Sequence, residues 1–218
     1  MRIFISKSAE EYTSLARWCS ENRLVLHAES LLSFEAVPFL FPTQVDIIFF
    51  TSPRSVEFFL KQVKVEDLSG KLFAAIGKKT AEIVEKAGLN CSFIGEKSGD
   101  PEQVNSQFLS WVGERKVFIP QSNISNESIG KSDVRIQRAV AYRTVLQPKE
   151  LPEYDVYIFT SPSNFKAFNI KNKVPSSSKI IVWGKTSAKE LQKQGHTPEF
   201  VLDDASMESL KRWIQMNF

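Results

Sequence analysis

The chain writes one stretch twice. Phe50–Phe59 reads FTSPRSVEFF, and Phe159–Phe168 reads FTSPSNFKAF, 109 positions later. The likeness is longer than ten residues. DIIFFTSPRSVEFFL (Asp46–Leu60) answers DVYIFTSPSNFKAFN (Asp155–Asn169), and FAAIGKKTAEIVEKAGL (Phe73–Leu89) answers IIVWGKTSAKELQKQGH (Ile180–His196). Gly77 then matches Gly184, Thr80 matches Ser187, and Gly88 matches Gly195. Two units with the same order of elements follow from such self-similarity.

Within each unit short apolar runs alternate with longer amphipathic ones. DIIFF, LFAAI, CSFI and KVFI are unbroken apolar stretches of strand length, as a parallel sheet covered by helices on both faces requires. Ser52-Pro53 and Ser161-Pro162 each set a capping hydroxyl before a proline at the first helical position. Asp100–Gln103, Ser8–Glu11 and Ser187–Glu190 have capping-box spacing. Gly88 and Gly195 suit helix ends. Strands are predicted near residues 2–6, 24–28, 46–50, 72–76, 91–94, 116–119, 134–138, 155–159, 179–182 and 198–201. The βαβα order predicts an α/β fold of two open, mostly parallel sheets with helices on both faces.

The segment 1–28 has no partners of its own, and the second repeat has three strands after Asp155. Joining them gives five strands, which matches five in the middle segment. The predicted organisation is a discontinuous lobe of residues 1–32 plus 146–218, with a second lobe inserted at about 37–138. Two extended crossings, residues 31–37 (LLSFEAV) and 139–145 (AVAYRTV), would join them as a two-stranded hinge.

Composition narrows the function classes. The chain has 218 residues, 42% hydrophobic and 24% charged, with a net charge of +3. That balance is an ordinary globular one, with no cationic block for nucleic acid, though a mild positive charge suits an acidic small-molecule ligand. The start MRIFISKSAEEY carries too short an apolar run for a signal peptide, and no run of 18 apolar residues exists for a membrane span. Cys19 and Cys91 stand apart without CxxC spacing, which predicts free thiols in a reducing cytoplasm. His27 and His196 are isolated, so no metal is expected. GKT at Gly184–Thr186 follows Lys179 where a phosphate loop needs glycine, and no GxGxxG or GxSxG occurs.

What remains is the repeated FTSP, where a strand's carboxyl end turns straight into a helix amino terminus. Open α/β sheets bind ligands at such places, and the first helical N–H groups are unpaired anion donors. The repeat predicts two anion-receptive rims that can face one another across a cleft. The pairs Ser52/Ser161 and Thr80/Ser187 fall at helix starts in both repeats, where plain capping is the competing role. As helix-start positions, Thr80 and Ser187 are expected to accept a carboxylate without loss of folding. Tyr142, in the second crossing, is either a cleft residue or an ordinary β-former.

Taken in order, IIFFTSPRSVEFF, AAIGKKTAEIVEKAGL, VAYRTVLQP and IVWGKTSAKELQKQG resemble the signature segments of the uroporphyrinogen-III synthase family, and LLSFEAV resembles its first interlobe segment. The resemblance covers nearly the whole chain. It implies two α/β lobes joined by a two-stranded ladder. It also implies closure of hydroxymethylbilane, a linear tetrapyrrole with eight carboxylates, to uroporphyrinogen III, with the last pyrrole ring inverted and water lost. No cofactor or metal is implied, nor any nucleic acid or membrane partner; a cytoplasmic monomer is expected.

By the same resemblance Tyr142 is the candidate acid, Thr80 and Ser187 are cleft hydroxyls, and Ser52 and Ser161 are rim serines. Gly77, Gly184 and Lys185 belong to the two glycine-led helix starts. The family's proline after the second glycine is here Lys185, and its Thr-Arg-Pro after the first strand is here Ser6-Lys7-Ser8, so Lys7 is the candidate substitute cation. The family's Gly/Arg-bearing segment is replaced by PQSNISNESIGK. A reading from another class is a non-catalytic two-lobed binding module for an acidic small molecule.

Overall fold

The computed structural model describes residues 1–8, 12–96, 100–202 and 206–217. Its chain divides into two compact units, Met1–Ser33 with Val145–Phe218, and Phe34–Thr144.

The first unit holds strands β1 (Arg2–Ile5) and β2 (Val25–Ala28), with helix α1 (Thr13–Glu21) between them. After the second crossing the chain adds β9 (Val156–Phe159), α5 (Pro162–Lys171), β10 (Lys179–Trp183), α6 (Gly184–Lys193), β11 (Phe200–Leu202) and α7 (Met207–Asn217). The sheet order is β11-β10-β9-β1-β2, and every pairing is parallel. The apolar runs explain this arrangement, because alternate residues of each strand go to opposite cores. Ile3, Ile5, Val156, Ile158 and Ile181 pack with Leu15, Leu210 and Ile214 on one face. Phe4, Tyr157, Phe159, Ile180 and Val182 pack with Phe165, Phe168 and Leu191 on the other. Each fully buried side chain of this size contributes about 1.5–3 kcal/mol.

The second unit follows the same logic. It contains β4 (Ile47–Phe50), α2 (Pro53–Leu60), β5 (Leu72–Ala75), α3 (Lys78–Lys86), β6 (Cys91–Ile94), α4 (Pro101–Val112), β7 (Val117–Ser122) and β8 (Ile136–Leu146), and it is entered through β3 (Leu32–Ala36). The strands β4, β5, β6, β7 and β8 pair in parallel. Ile48, Phe50, Phe73 and Phe118 face one core, while Ile47, Phe49, Val117 and Ile119 face the other.

This second sheet has six strands in the order β3-β8-β7-β4-β5-β6, where five were expected beside a separate two-stranded hinge. The reason lies in IQRAVAYRTVL, which has no glycine or proline and is rich in β-formers. The strand predicted at 134–138 and the crossing at 139–145 are therefore one eleven-residue strand, β8. The backbone bonds from Val37 N–H to Ala141 and from Gln147 N–H to Leu31 run in opposite senses along β3 and β8, so this pair is antiparallel. The predicted capping box at Ser8–Glu11 falls partly outside the described residues. No helix among the described residues is long and apolar enough to cross a membrane.

Candidate functional site

Strand order locates the site in each unit. In the second unit the chain moves one way from β4 through β5 to β6, while β7 and β8 lie on the other side. The sheet thus switches direction between β4 and β7, and ligands of open α/β sheets bind outside the strand carboxyl ends at such a point. Here those ends are Thr51-Ser52 and Gln121-Ser122. The first unit switches between β1 and β9, whose carboxyl ends carry Ser6-Lys7 and Thr160-Ser161.

In the second unit Ser52 caps α2. Its Oγ accepts from the Ser55 N–H at 3.1 Å, and its own N–H donates to Ser55 Oγ at 3.2 Å. The Tyr142 phenol shares a 3.3 Å hydrogen bond with Ser52 Oγ, so β8 brings together two residues that the sequence singled out. Tyr142 is 6% exposed and its ring lies 5.1 Å from that of Phe58, nearly parallel at 19°. Burial raises the phenol pKa above its ordinary value of 10.0, while the Ser52 hydrogen bond and the Arg54 charge pull it down. Ser122, opposite Tyr142 in the β7–β8 register, shares a 2.8 Å hydrogen bond with Thr144. Arg54, Phe58, Ser122 and Thr144 were missed by sequence reasoning. The signal for Arg54 was present: it is the first place after the shared FTSP where the second copy departs, with Ser163.

In the first unit the ends of β1 and β9 are tied by side chains. The Thr160 N–H donates to Ser6 Oγ at 2.9 Å, and Thr160 Oγ1 donates to the Ser6 carbonyl at 2.8 Å. Ser161 caps α5 by accepting from the Asn164 N–H and from Asn164 Nδ2, both at 3.2 Å. Asn164 in turn accepts from the Leu31 N–H at 2.9 Å, so this cap is committed to holding the chain rather than a phenol. The Lys7 ammonium stands 5.4 Å from the Tyr12 ring centroid.

The remaining pair corrects the capping reading. The N-cap of α3 is Gly77 and that of α6 is Trp183, so Thr80 and Ser187 sit inside their helices. Both are only 2% exposed. Beside them Lys78, Lys79 and Lys185 are exposed, so each glycine-led start pairs a buried hydroxyl with solvated cations. Among the described residues, Thr80 makes no hydrogen bond to Ser52 or Tyr142.

The two glycines also differ. Gly184 has φ +74, whereas Gly77 at φ 179 is extended backbone that any residue adopts. Gly184→Ala is therefore expected to lose about 1–2 kcal/mol through left-handed strain alone, read as a lowered denaturant midpoint.

Both cysteines are free, and burial pushes both thiols up to about 11, so neither is a thiolate at neutral pH. Among the described residues no cluster of three histidines, cysteines or carboxylates could hold a metal ion.

A family model described as uroporphyrinogen-III synthase HemD matches residues 27–208. The uroporphyrinogen-III synthetase structure from Helicobacter pylori 26695 matches with a TM-score of 0.74 at 20% identity, over 100% of both chains. A mutant uroporphyrinogen III synthase from the extremely thermophilic bacterium Thermus thermophilus matches with a TM-score of 0.63 at 15% identity, again over 100% of both chains. No curated protein matches the chain. At such identities the structural likeness speaks for the fold, and membership follows from the family model.

Proposed function

The chain belongs to the uroporphyrinogen-III synthase family, and from that premise we propose that it closes hydroxymethylbilane to uroporphyrinogen III as a cyclising hydro-lyase, with Tyr142 as the acid. The reading of non-catalytic binding finds no support in the family match. The observation that carries the assignment of Tyr142 is its phenol, buried and hydrogen-bonded at 3.3 Å to the cap of α2, beside the sheet's switch point.

The chemistry needs little from the protein beyond placement. Departure of the terminal hydroxyl leaves an electrophilic methylene conjugated to its pyrrole, and a nearby ring carbon of the last pyrrole attacks it. A phenol that donates to the leaving hydroxyl lowers this barrier, and positioned acids of this kind contribute about 10²–10⁴-fold. The hydroxyl departs as water. The attacking carbon already carries the bridge from the third pyrrole, so the spiro intermediate has no proton there to lose. That bridge bond breaks and re-forms at the last ring's unsubstituted carbon, which inverts the ring. The proton this carbon sheds on regaining aromaticity replaces the one lent by Tyr142, so the residue ends as it began. Unassisted closure gives the non-inverted isomer, so the protein's main contribution is to hold the chain for attack at the hindered carbon.

Eight substrate carboxylates are matched in kind by what each unit offers. At the starts of α2 and α5 Pro53 and Pro162 have no N–H and the caps take those of Ser55 and Asn164, which leaves the Arg54 and Ser163 N–H groups to meet an anion. Lys7, Lys78, Lys79 and Lys185 supply positive charge beside Ser161, Thr80 and Ser187. We take the working form to be a cytoplasmic monomer without cofactor. The test is to incubate the protein with fresh hydroxymethylbilane and separate the porphyrin isomers after oxidation. A product dominated by the type III isomer is expected. Only the non-inverted isomer, at the rate without protein, would refute the assignment.

A further inference from the structure

The repeat supplies an internal control for the surroundings of Tyr142. Along one side of α2 and onto its C-cap, Arg54, Phe58 and Lys61 recur at helical spacing. The aligned positions of the second copy hold Ser163, Ala167 and Ile170. These three side chains are thus departures from the shared pattern, and they occur in the unit that contains Tyr142.

Together they form a column. The Arg54 guanidinium stands 3.3 Å from the Phe34 ring centroid. The Phe34 ring lies 6.2 Å from that of Tyr142, which lies 5.1 Å from the near-parallel Phe58 ring. The Lys61 ammonium stands 4.7 Å from the Phe58 centroid. Three aromatic rings in sequence therefore have a cation over the ring at each end, and the middle ring bears the phenol. Phe58 and Tyr142 are 7% and 6% exposed, so the stack is a packed one.

From this we infer that Phe58 is a positioning residue of the ring closure, holding the Tyr142 phenol at Ser52 by near-parallel stacking, with Arg54 and Lys61 pinning the outer rings. The inference rests on the reading of Tyr142 as the acid. A tyrosine on a strand can still swing about its side-chain bonds. Stacking removes that freedom, because offset parallel rings have a preferred separation and tilt. Each outer cation is attracted to the ring quadrupole beneath it and so resists lateral slip of that ring. Ala167 in the other copy could do none of this.

The test compares kcat and KM for hydroxymethylbilane in Phe58→Leu, Phe58→Tyr, Tyr142→Phe and Phe58→Leu with Tyr142→Phe. Leucine keeps apolar bulk and loses the flat face, and a small misplacement of an acid is costly, so Phe58→Leu should lower kcat about 10-fold. KM should hold, because Phe58 acts through Tyr142. Phe58→Tyr restores the ring and should restore kcat. In the Tyr142→Phe background, Phe58→Leu should cost nothing more. A structural role alone would change melting and the active fraction, and its effect would add to that of Tyr142→Phe. That additivity, or an unchanged kcat in Phe58→Leu beside a slow Tyr142→Phe, overturns the inference alone. Parent turnover in Tyr142→Phe overturns the acid reading and this inference with it. If Phe58→Leu does not fold, the exposed Lys61→Gln carries the test. Loss of its hold on Phe58 should lower kcat about 2–5-fold with KM unchanged, and an unchanged kcat overturns the inference.

Discussion

Tyr142→Phe is expected to slow formation of the inverted isomer by about 10²-fold or more, the usual range for removing a positioned acid, while the fold survives. Only one hydroxyl goes, and its hydrogen bond to Ser52 at 3.3 Å contributes about 1 kcal/mol. The ring stays stacked on Phe58. The slowed variant should therefore bind substrate as before and release a larger share of the non-inverted isomer, formed off the protein. The pH profile gives an independent check. Burial, the main influence, raises the phenol pKa above 10.0, so its neutral, donating form persists through the whole neutral range. The rate should not fall on account of Tyr142 until the pH passes about 10. The linked stability follows the same sign: it is fully present below the ordinary phenol value and is lost as pH rises through the raised one. Isomer separation and initial rates of the variant decide the matter; parent rates would leave Tyr142 a packed strand residue.

Ser187→Glu is expected to unfold the first unit rather than merely block a rim. As a helix-start residue Ser187 should have welcomed a carboxylate, and that expectation fails on position. Ser187 lies inside α6 and is 2% exposed, in the helix that packs Ala188 and Leu191 on the sheet. A carboxylate there would be buried while the neighbouring Lys185 stays in solvent, and burying a poorly paired charge costs on the order of 3–5 kcal/mol. Thr80→Glu should behave alike in the second unit. Lys185→Glu changes charge by two at the same helix start but on an exposed side chain, so it should fold normally and raise KM. Melting temperature beside KM separates the two cases. A Ser187→Glu variant that melts with the parent would contradict the burial argument.

The strands were legible because both faces of each sheet are covered, which writes DIIFF and VYIF as unbroken apolar runs. The starts of α2 and α5 were legible for a similarly local reason, since Ser-Pro has few other uses before an apolar stretch. Other features turn on packing. Nothing between Ile136 and Leu146 marks where one strand would stop and a crossing begin, and in the structure nothing stops. Thr80 and Ser187 read as capping hydroxyls because the helices were placed one turn too late relative to their glycines. Arg54, Phe58 and Lys61 escaped notice because a repeat directs attention to what its copies share. These residues matter through a neighbour 80 or more positions away on β8, which no local pattern announces.

The place of β1 in its sheet bears on how the chain is made. β1 pairs with β2 on one side and with β9 on the other. The first two strands leave the ribosome together, but β9 follows β2 by about 130 residues. At bacterial-to-eukaryotic elongation rates of roughly 5–20 residues per second, Ile3, Phe4 and Ile5 wait on the order of 10 s for half of their sheet. During that wait Phe34–Thr144 is complete and can fold as a continuous segment. Synthesis order thus makes the inserted unit the early one, and leaves the amino-terminal β1–α1–β2 segment as the apolar surface that a nascent chain must shield longest.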